Sequence, residues 1–432
     1  MTNTPSLTLR GALIATQDEN RRVFRGDVRI ENGRIAGVAE DLPGRSDEEM
    51  DARSFLVTPG LINLHTHVAN TLLKGVADDL DFDQFLEKMF AYDARRTEED
   101  IEAGALLGIG EMLLGGTTSF LDMYYGMDGV ARACERLGIR GFLGWAVLDP
   151  EYTTQKGVPL RNAEAFMERW KGHERITPLP APQGVYVVNE ENWLGARELA
   201  VRHGTIVHYH LSETLKEVEG HVAKTGMRPP EWLDKIGFLG PNQVAAHSVW
   251  LKNNEIELLA KRGTAVAHCP SSNMKLASGG GGLAPVTELR ERKGIVGLGT
   301  DSSTSSNSLS MLRLMQLTGL AHKHARHDPK SLPAGTLLDI ATLEGARALG
   351  KVGRLGTIRP GADADLVLFD LAHPSLAPVT SPEKAIPNLV YSANEGAVHT
   401  VFVGGRKVVS AGRLTLVNEE EIRHIALDPP LQ

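Results

Sequence analysis

A metal ion that activates water needs three or four nitrogen and oxygen donors converging on one point, with a position left open for the water. The segment Leu61-Ile62-Asn63-Leu64-His65-Thr66-His67 offers two such donors. Alternate residues of an extended chain face the same way, so His65 and His67 can both reach one ion. His-x-His alone is a weak signal. It gains weight because His210, His247, His268 and Asp301 each close a short apolar run of strand length. His65, His67, His210 and Asp301 form the expected ligand set for one divalent metal. Three imidazoles and a carboxylate suit Zn2+ best, with Fe2+ or Mn2+ as alternatives. A water at the open position of such an ion loses its proton near neutral pH. His247 and Asp301 are the expected acceptors of that proton. Glu213, three residues beyond His210, is the expected donor to a ring nitrogen or leaving group. Two plainer readings stand beside these: His247 as a satisfied core histidine, and Glu213 as a charge at a helix N-terminus.

Donors this far apart in sequence converge only if the chain brings strand ends together. Short apolar runs alternate with amphipathic stretches of helical length, the sequence form of repeated βα units. Eight strands are expected, at Leu61–His65, Thr118–Asp122, Gly141–Trp145, Thr177–Ala181, Ile206–His210, Val244–His247, Ala265–His268 and Val296–Asp301. Eight parallel strands favour a (β/α)8 TIM barrel, whose strands all open on one face at their C-terminal ends. An open doubly wound sheet is the alternative, but no glycine-rich phosphate loop follows the first strand. The run Gly279–Gly282 reads as a simple turn or flexible loop. Both chain ends have a different texture, short apolar runs broken by turns such as Asn32-Gly33 and Gly404-Gly405. The expected organisation is an α/β protein with a barrel over residues 58–358. Residues 1–57 and 359–432 would build one small β-sandwich.

Composition narrows the function classes. The 432 residues are 42% hydrophobic and 23% charged, as in folded globular proteins. With 46 basic against 54 acidic residues the net charge is -8, and no basic stripe suggests nucleic acid as a partner. Cys134 and Cys269 both lie in apolar sequence, which argues against a disulfide framework and for a reducing compartment. Met1–Arg10 lacks a leader pattern and no apolar run reaches membrane-spanning length. A cytoplasmic location with no membrane partner is expected, and a homo-oligomer is left open. His322, His324 and His327 do not share a helical face and read as solvated. The acidic run Asp78–Asp83 lacks EF-hand spacing and reads as a lid loop, with Leu72, Leu73 and Phe85 for apolar contact.

Several longer segments resemble the amidohydrolase superfamily: Pro59–His67, His210–Thr214, Ala246-His247-Ser248, His268–Leu276, Leu298–Asp301 and Gly356–Leu366. More narrowly they resemble the branch of S-adenosylhomocysteine/methylthioadenosine deaminases, aminofutalosine deaminases and triazine chlorohydrolases. The resemblance implies that the residues matching His65, His67, His210 and Asp301 hold one zinc or iron. It implies that Glu213 and His247 handle protons, and that His268 belongs to the pocket floor. Ser272 and Asn273 would orient Asp301 or its loop, while Ser302, Ser303 and Asn307 read as loop and helix-cap residues. The implied activity is hydrolytic deamination of a heteroaromatic amine, an adenosine-type nucleoside such as methylthioadenosine or a related base, with release of ammonia. Hydrolysis of a triazine with loss of chloride or an alkylamine is the alternative, and a non-catalytic scaffold a third reading. The chain departs from the deaminase branch at two places. Gln183 stands where a histidine is usual, and Trp145 where arginine is frequent. Trp145 is therefore expected to stack on a flat ring and Gln183 to hydrogen-bond it, favouring a neutral substrate over S-adenosylhomocysteine. The competing reading packs Trp145 inside the fold and leaves Gln183 to cap a loop.

Overall fold

The computed structural model describes residues 5–280 and 282–430, so Gly281 of the glycine run lies outside the described residues. Two kinds of strand occur. Strands β1 (Leu7–Ala15), β2 (Val23–Glu31), β3 (Arg34–Ala39), β4 (Glu48–Asp51) and β5 (Phe55–Pro59) come from the N-terminal part. The central strands are β6 (Leu61–Thr66), β7 (Thr117–Tyr124), β8 (Arg140–Val147), β9 (Ile176–Pro182), β10 (Val207–Leu211), β11 (Gln243–His247), β12 (Ala265–His268) and β13 (Val296–Leu298). Strands β14 (Leu366–Asp370), β15 (Val398–Val403), β16 (Arg406–Ser410) and β17 (Arg413–Leu414) follow.

All eight central strands pair in parallel, in the orders β6-β7-β8-β9 and β10-β11-β12-β13. Strands such as β6, β10 and β11 are buried at every residue, as parallel strands covered on both faces must be. Backbone bonds also link the two sheets. His210 N donates to Gln183 O at 3.1 Å beside the end of β9, and Asp301 N donates to His65 O at 2.9 Å beside the end of β6. Ile62, Leu64, Leu121, Phe142, Val244 and Ala267, drawn from five strands of the two sheets, pack into one cluster. Each large apolar side chain so buried contributes about 1.5–3 kcal/mol. The alternate residues face the surrounding helices, as Val207, Tyr209 and Leu211 do on β10.

Both chain ends meet in one nine-stranded sheet, ordered β17-β16-β15-β14-β5-β1-β2-β3, with β4 beside β1. Strand β5 sits between β1 and β14, so the first and last parts of the chain are hydrogen-bonded through it. A single residue, Gly60, separates β5 from β6. A Cβ there would lie 1.9 Å from Thr118 Oγ1, so only glycine permits this close crossing. Arg140, at the start of β8, reaches Asp365 at 2.7 Å and Asp363 at 3.5 Å, tying the central strands to β14. Cys134 and Cys269 are free and buried. No helix among the described residues is long and apolar enough to cross a membrane.

Candidate metal centre and active site

His65 and His67 lie on and just past the end of β6, His210 near the end of β10, and His247 closes β11. Asp301 is three residues beyond β13, in a left-handed turn with φ +61°, rather than at a strand end as the sequence suggests. His247 is also left-handed, with φ +70°. Such backbone costs about 1–3 kcal/mol for a residue with a Cβ, and here it swings both side chains toward one centre. Asp301 Oδ1 lies 3.4 Å from His65 Nε2 and 3.4 Å from His67 Nε2, and His210 Nε2 is 3.4 Å from His67 Nε2.

The tautomers follow from the outward-facing ring nitrogens. His67 Nδ1 lies 2.7 Å from Met123 O, and His210 Nδ1 lies 2.8 Å from Gln183 O. A carbonyl only accepts, so both Nδ1 atoms carry hydrogen and both Nε2 atoms present lone pairs. His208 Nδ1 faces Val244 O at 2.8 Å, which leaves His208 Nε2 to accept from His65 Nδ1 at 2.7 Å. His65 Nε2 is then a third bare lone pair, buried and without a hydrogen-bond partner among the described residues. Three nitrogen lone pairs and a carboxylate oxygen pointed at one another repel unless a cation lies between them. The donor set therefore fits a divalent ion by its own chemistry. Burial and the neighbouring His65 pull the His67 pKa down to about 4, which favours the neutral ring. Burial places His210 far below its ordinary range as well.

Beside this set stand the proton-handling candidates. Glu213 Oε2 lies 3.6 Å from His247 Nε2, and Glu213, His247 and Asp301 offer donor atoms within 4.8 Å of one another. Burial, then the charges of Asp301 and Glu217, hold the Glu213 carboxyl well above the ordinary range. Such a shift favours the protonated form, the one able to donate a proton. Burial brings His247 down to about 3. The Asn273 amide, 3.2 Å from His247 Nδ1, orients this ring rather than Asp301.

The sequence profile of the amidohydrolase family matches residues 56–408. This chain belongs to the amidohydrolase family. A 5'-deoxyadenosine deaminase of Methanothermobacter thermautotrophicus is 41% identical over 408 residues, covering 94% of each chain. A 5-methylthioadenosine/S-adenosylhomocysteine deaminase of Syntrophobacter fumaroxidans is 40% identical over 424 residues, covering 96% of this chain and 95% of its own. The solved structure of an adenosine deaminase from Xanthomonas campestris with bound zinc superposes with a TM-score of 0.91 at 31% identity, over 97% of this chain and 96% of that one.

Above the donor set this amidohydrolase has a cavity of about 120 Å3, walled by His67, Gln183, Glu213 and Asp301. The helix Phe82–Asp93 roofs it with Phe85, Leu86 and Met89, so the acidic run does lead into a covering element. Phe82, Leu86, Tyr186 and Glu213 also border an adjoining lobe of about 410 Å3. Gln183 lines the cavity. Trp145 does not: it shares the outward direction of Leu143 and Val147, packs on Phe166 and donates to Gln155 Oε1 at 2.7 Å. The stacking role expected of it is not carried forward, because strand alternation turns it toward the helix layer. His268 lies fully buried with its Nε2 3.0 Å from His322 Nε2. His322 is thus a core residue, while His324 and His327 are exposed.

Sequence reasoning missed His208 and the wall made by Asn70, Asp93 and Tyr124. The signal for His208 was available, since it precedes His210 by two residues, as His65 precedes His67. Buried Arg96 braces the wall, donating to Asn70 Oδ1 at 2.6 Å and to Tyr124 Oη at 3.2 Å. Nothing in its sequence context marked that arginine.

Proposed function

We propose that this protein is a zinc-dependent hydrolytic deaminase of a neutral adenosine-type nucleoside or related base, acting in the cytoplasm. The observation that carries the reading is the convergence of three bare Nε2 atoms and Asp301 Oδ1 beside the buried Glu213 carboxyl, 3.6 Å from His247 Nε2. In this reading residues 58–358 form a closed (β/α)8 barrel and residues 1–57 with 359–432 a β-sandwich. The interlinked parallel sheets and the shared nine-stranded sheet support that division. The relatives named above, deaminases of adenosine-type nucleosides, support the reaction.

His65, His67, His210 and Asp301 would hold the ion, which when bound supplies Lewis acidity and lowers the pKa of water. Asp301 and His247 accept the proton of the attacking water, and Glu213 donates its own to the ring nitrogen next to the amine. The water oxygen bonds to the ring carbon and the carbon–nitrogen bond breaks. The amine takes the proton held by Asp301 and His247 and leaves as ammonia, and the new hydroxyl returns its proton to Glu213 as the ring carbonyl forms. A poor leaving group such as ammonia needs that acid, whereas chloride does not, so a raised Glu213 favours deamination over triazine dechlorination.

The test is ammonia release across adenosine derivatives, free purine and pyrimidine bases and aminotriazines, with metal content measured alongside. Glu213→Gln is expected to lower the rate by about 10²–10⁴-fold while metal content stays near wild type. His67→Ala is expected to remove both metal and turnover. Unchanged turnover in Glu213→Gln, or chloride released in preference to ammonia, overturns the reading.

A further inference from the structure

The donor set lies deep: His65, His210 and Asp301 are 0%, 4% and 5% exposed, and the His67 side chain, 13% exposed, faces the cavity. The helix Phe82–Asp93 borders both the cavity of about 120 Å3 above this set and the adjoining lobe of about 410 Å3, so its position governs how much of the site a substrate can reach. The wall with least holding it is the helix Phe82–Asp93, where only Phe85 and Met89 are buried. Its far end is fixed by Asp93, which Arg96 and Tyr124 bind from below. Its exposed side is held by one ion pair, Lys216 Nζ to Asp83 Oδ2 at 2.6 Å. Those side chains are 76% and 64% exposed, so solvent screens the pair and it holds the helix only weakly.

The loop before the helix is held differently. Lys275 donates to the Asp78 carboxylate, to Asn307 Oδ1 at 2.6 Å and to Thr304 O at 3.1 Å, which uses all three ammonium hydrogens. Asn307 Nδ2 closes the ring by donating to Asp78 Oδ2 at 3.1 Å. Thr304 and Asn307 belong to the loop that carries Asp301. Leu276, next in sequence, packs against the cluster of Leu73, Ala77, Phe85 and Met89 under the roof. The same short helix, Pro270–Lys275, places Asn273 against His247.

We propose that Lys275 is a positioning residue for the roof: with Asp78 and Asn307 it forms a fixed anchor, and residues 79–90 swing between that anchor and Asp93 when the Lys216–Asp83 latch opens. The inference rests on reading the cavity as the substrate site, but its first measurement needs no substrate. Hydrogen exchange of the peptide over residues 79–92 is followed by mass spectrometry in the metal-loaded wild type, Lys275→Met, Lys275→Arg, Asp78→Asn and Lys216→Met. Lys275→Met and Asp78→Asn are expected to speed exchange there by about 10-fold or more, and Lys216→Met by only about 2–3-fold. In ammonia-release assays Lys275→Met should raise KM about 10-fold with kcat changed less than about 2-fold. Lys275→Arg, keeping charge and donors, should recover most of both effects. Equal exchange in Lys275→Met and wild type, an effect of Lys216→Met as large as that of Lys275→Met, or failure of arginine to rescue overturns the proposal. If the exchange pattern holds while no amine is hydrolysed, the moving roof stands and the deaminase reading falls. Asp78→Asn covers the case in which Lys275→Met does not fold.

Discussion

In the proposed metal site, His65 presents a bare Nε2 because of a residue outside the donor set. His208 has its Nδ1 at Val244 O and takes the His65 Nδ1 proton on its Nε2, so the lone pair of His65 Nε2 faces the centre. An apolar ring in its place would free His65 to adopt the other tautomer or to rotate. His208→Phe is therefore expected to weaken metal affinity by about 10–100-fold, while His208→Gln, which can still accept at that point, loses less. Competitive chelation with a zinc indicator measures both. Equal affinities in His208→Phe and wild type would mean that packing alone orients His65. The candidate donor set was legible, because imidazoles and a carboxylate closing apolar runs form a pattern visible without coordinates. The left-handed turn at Asp301 was not, since it depends on the bond from Asp301 N to His65 O across two distant segments.

At the scale of elements, alternation along each strand divides site from scaffold, and here the sequence was ambiguous. Period-two patterning groups Phe142 with Gly144 and Ala146, and Leu143 with Trp145 and Val147, but both sets are apolar in a strand buried on both faces. Only pairing with β7 and β9 decides which set looks inward, and that placed Trp145 against Phe166. The spacing of His322, His324 and His327 excluded a common face. It could not say that His322 would be the one turned into the core against His268. The same geometry yields opposite expectations for the two residues singled out in the sequence. Gln183 lines the cavity, so Gln183→Ala should raise KM for methylthioadenosine by about 5–20-fold, the loss of one hydrogen bond to substrate. Trp145→Phe should change kcat/KM less than about 2-fold, because the ring packs on Phe166 and bonds Gln155, both outside the cavity lining. Steady-state ammonia release tests both, with S-adenosylhomocysteine as the carboxylate-bearing comparison. If Trp145→Phe proved the more damaging change, the inward and outward faces of β8 would have to be exchanged.

The molecule as a whole depends on contacts joining its central strands to the sheet built from its two ends. That the ends pair was legible from their matching texture of short runs and turns; that one strand, β5, lies between β1 and β14 was not. Arg140 is the side chain on which the junction bears most directly. Its guanidinium, 13% exposed, meets the Asp365 carboxylate through two nitrogens at 2.7 and 3.1 Å, and Asp365 is 3% exposed. Asp365 also accepts from Gly404 N at 2.6 Å, so without the arginine this backbone N–H would be the one remaining partner of its carboxylate among the described residues. Breaking a buried pair in this way costs about 3–5 kcal/mol, far more than the loss of an exposed ion pair. Arg140→Met is expected to lower thermal stability by an amount of that order. Pairing it with Asp365→Asn should recover part of the loss, since the second change removes the stranded charge. Activity at 25 °C should be unaffected: Arg140 opens β8, whereas the donor set sits at the opposite strand ends, about 20 Å away at the rise of a strand. Calorimetry with ammonia-release kinetics on the two single variants and the double variant decides the matter. A double variant less stable than Arg140→Met, or a fall in kcat with metal content unchanged, would show that this junction reaches the site and does more than hold the two sheets together.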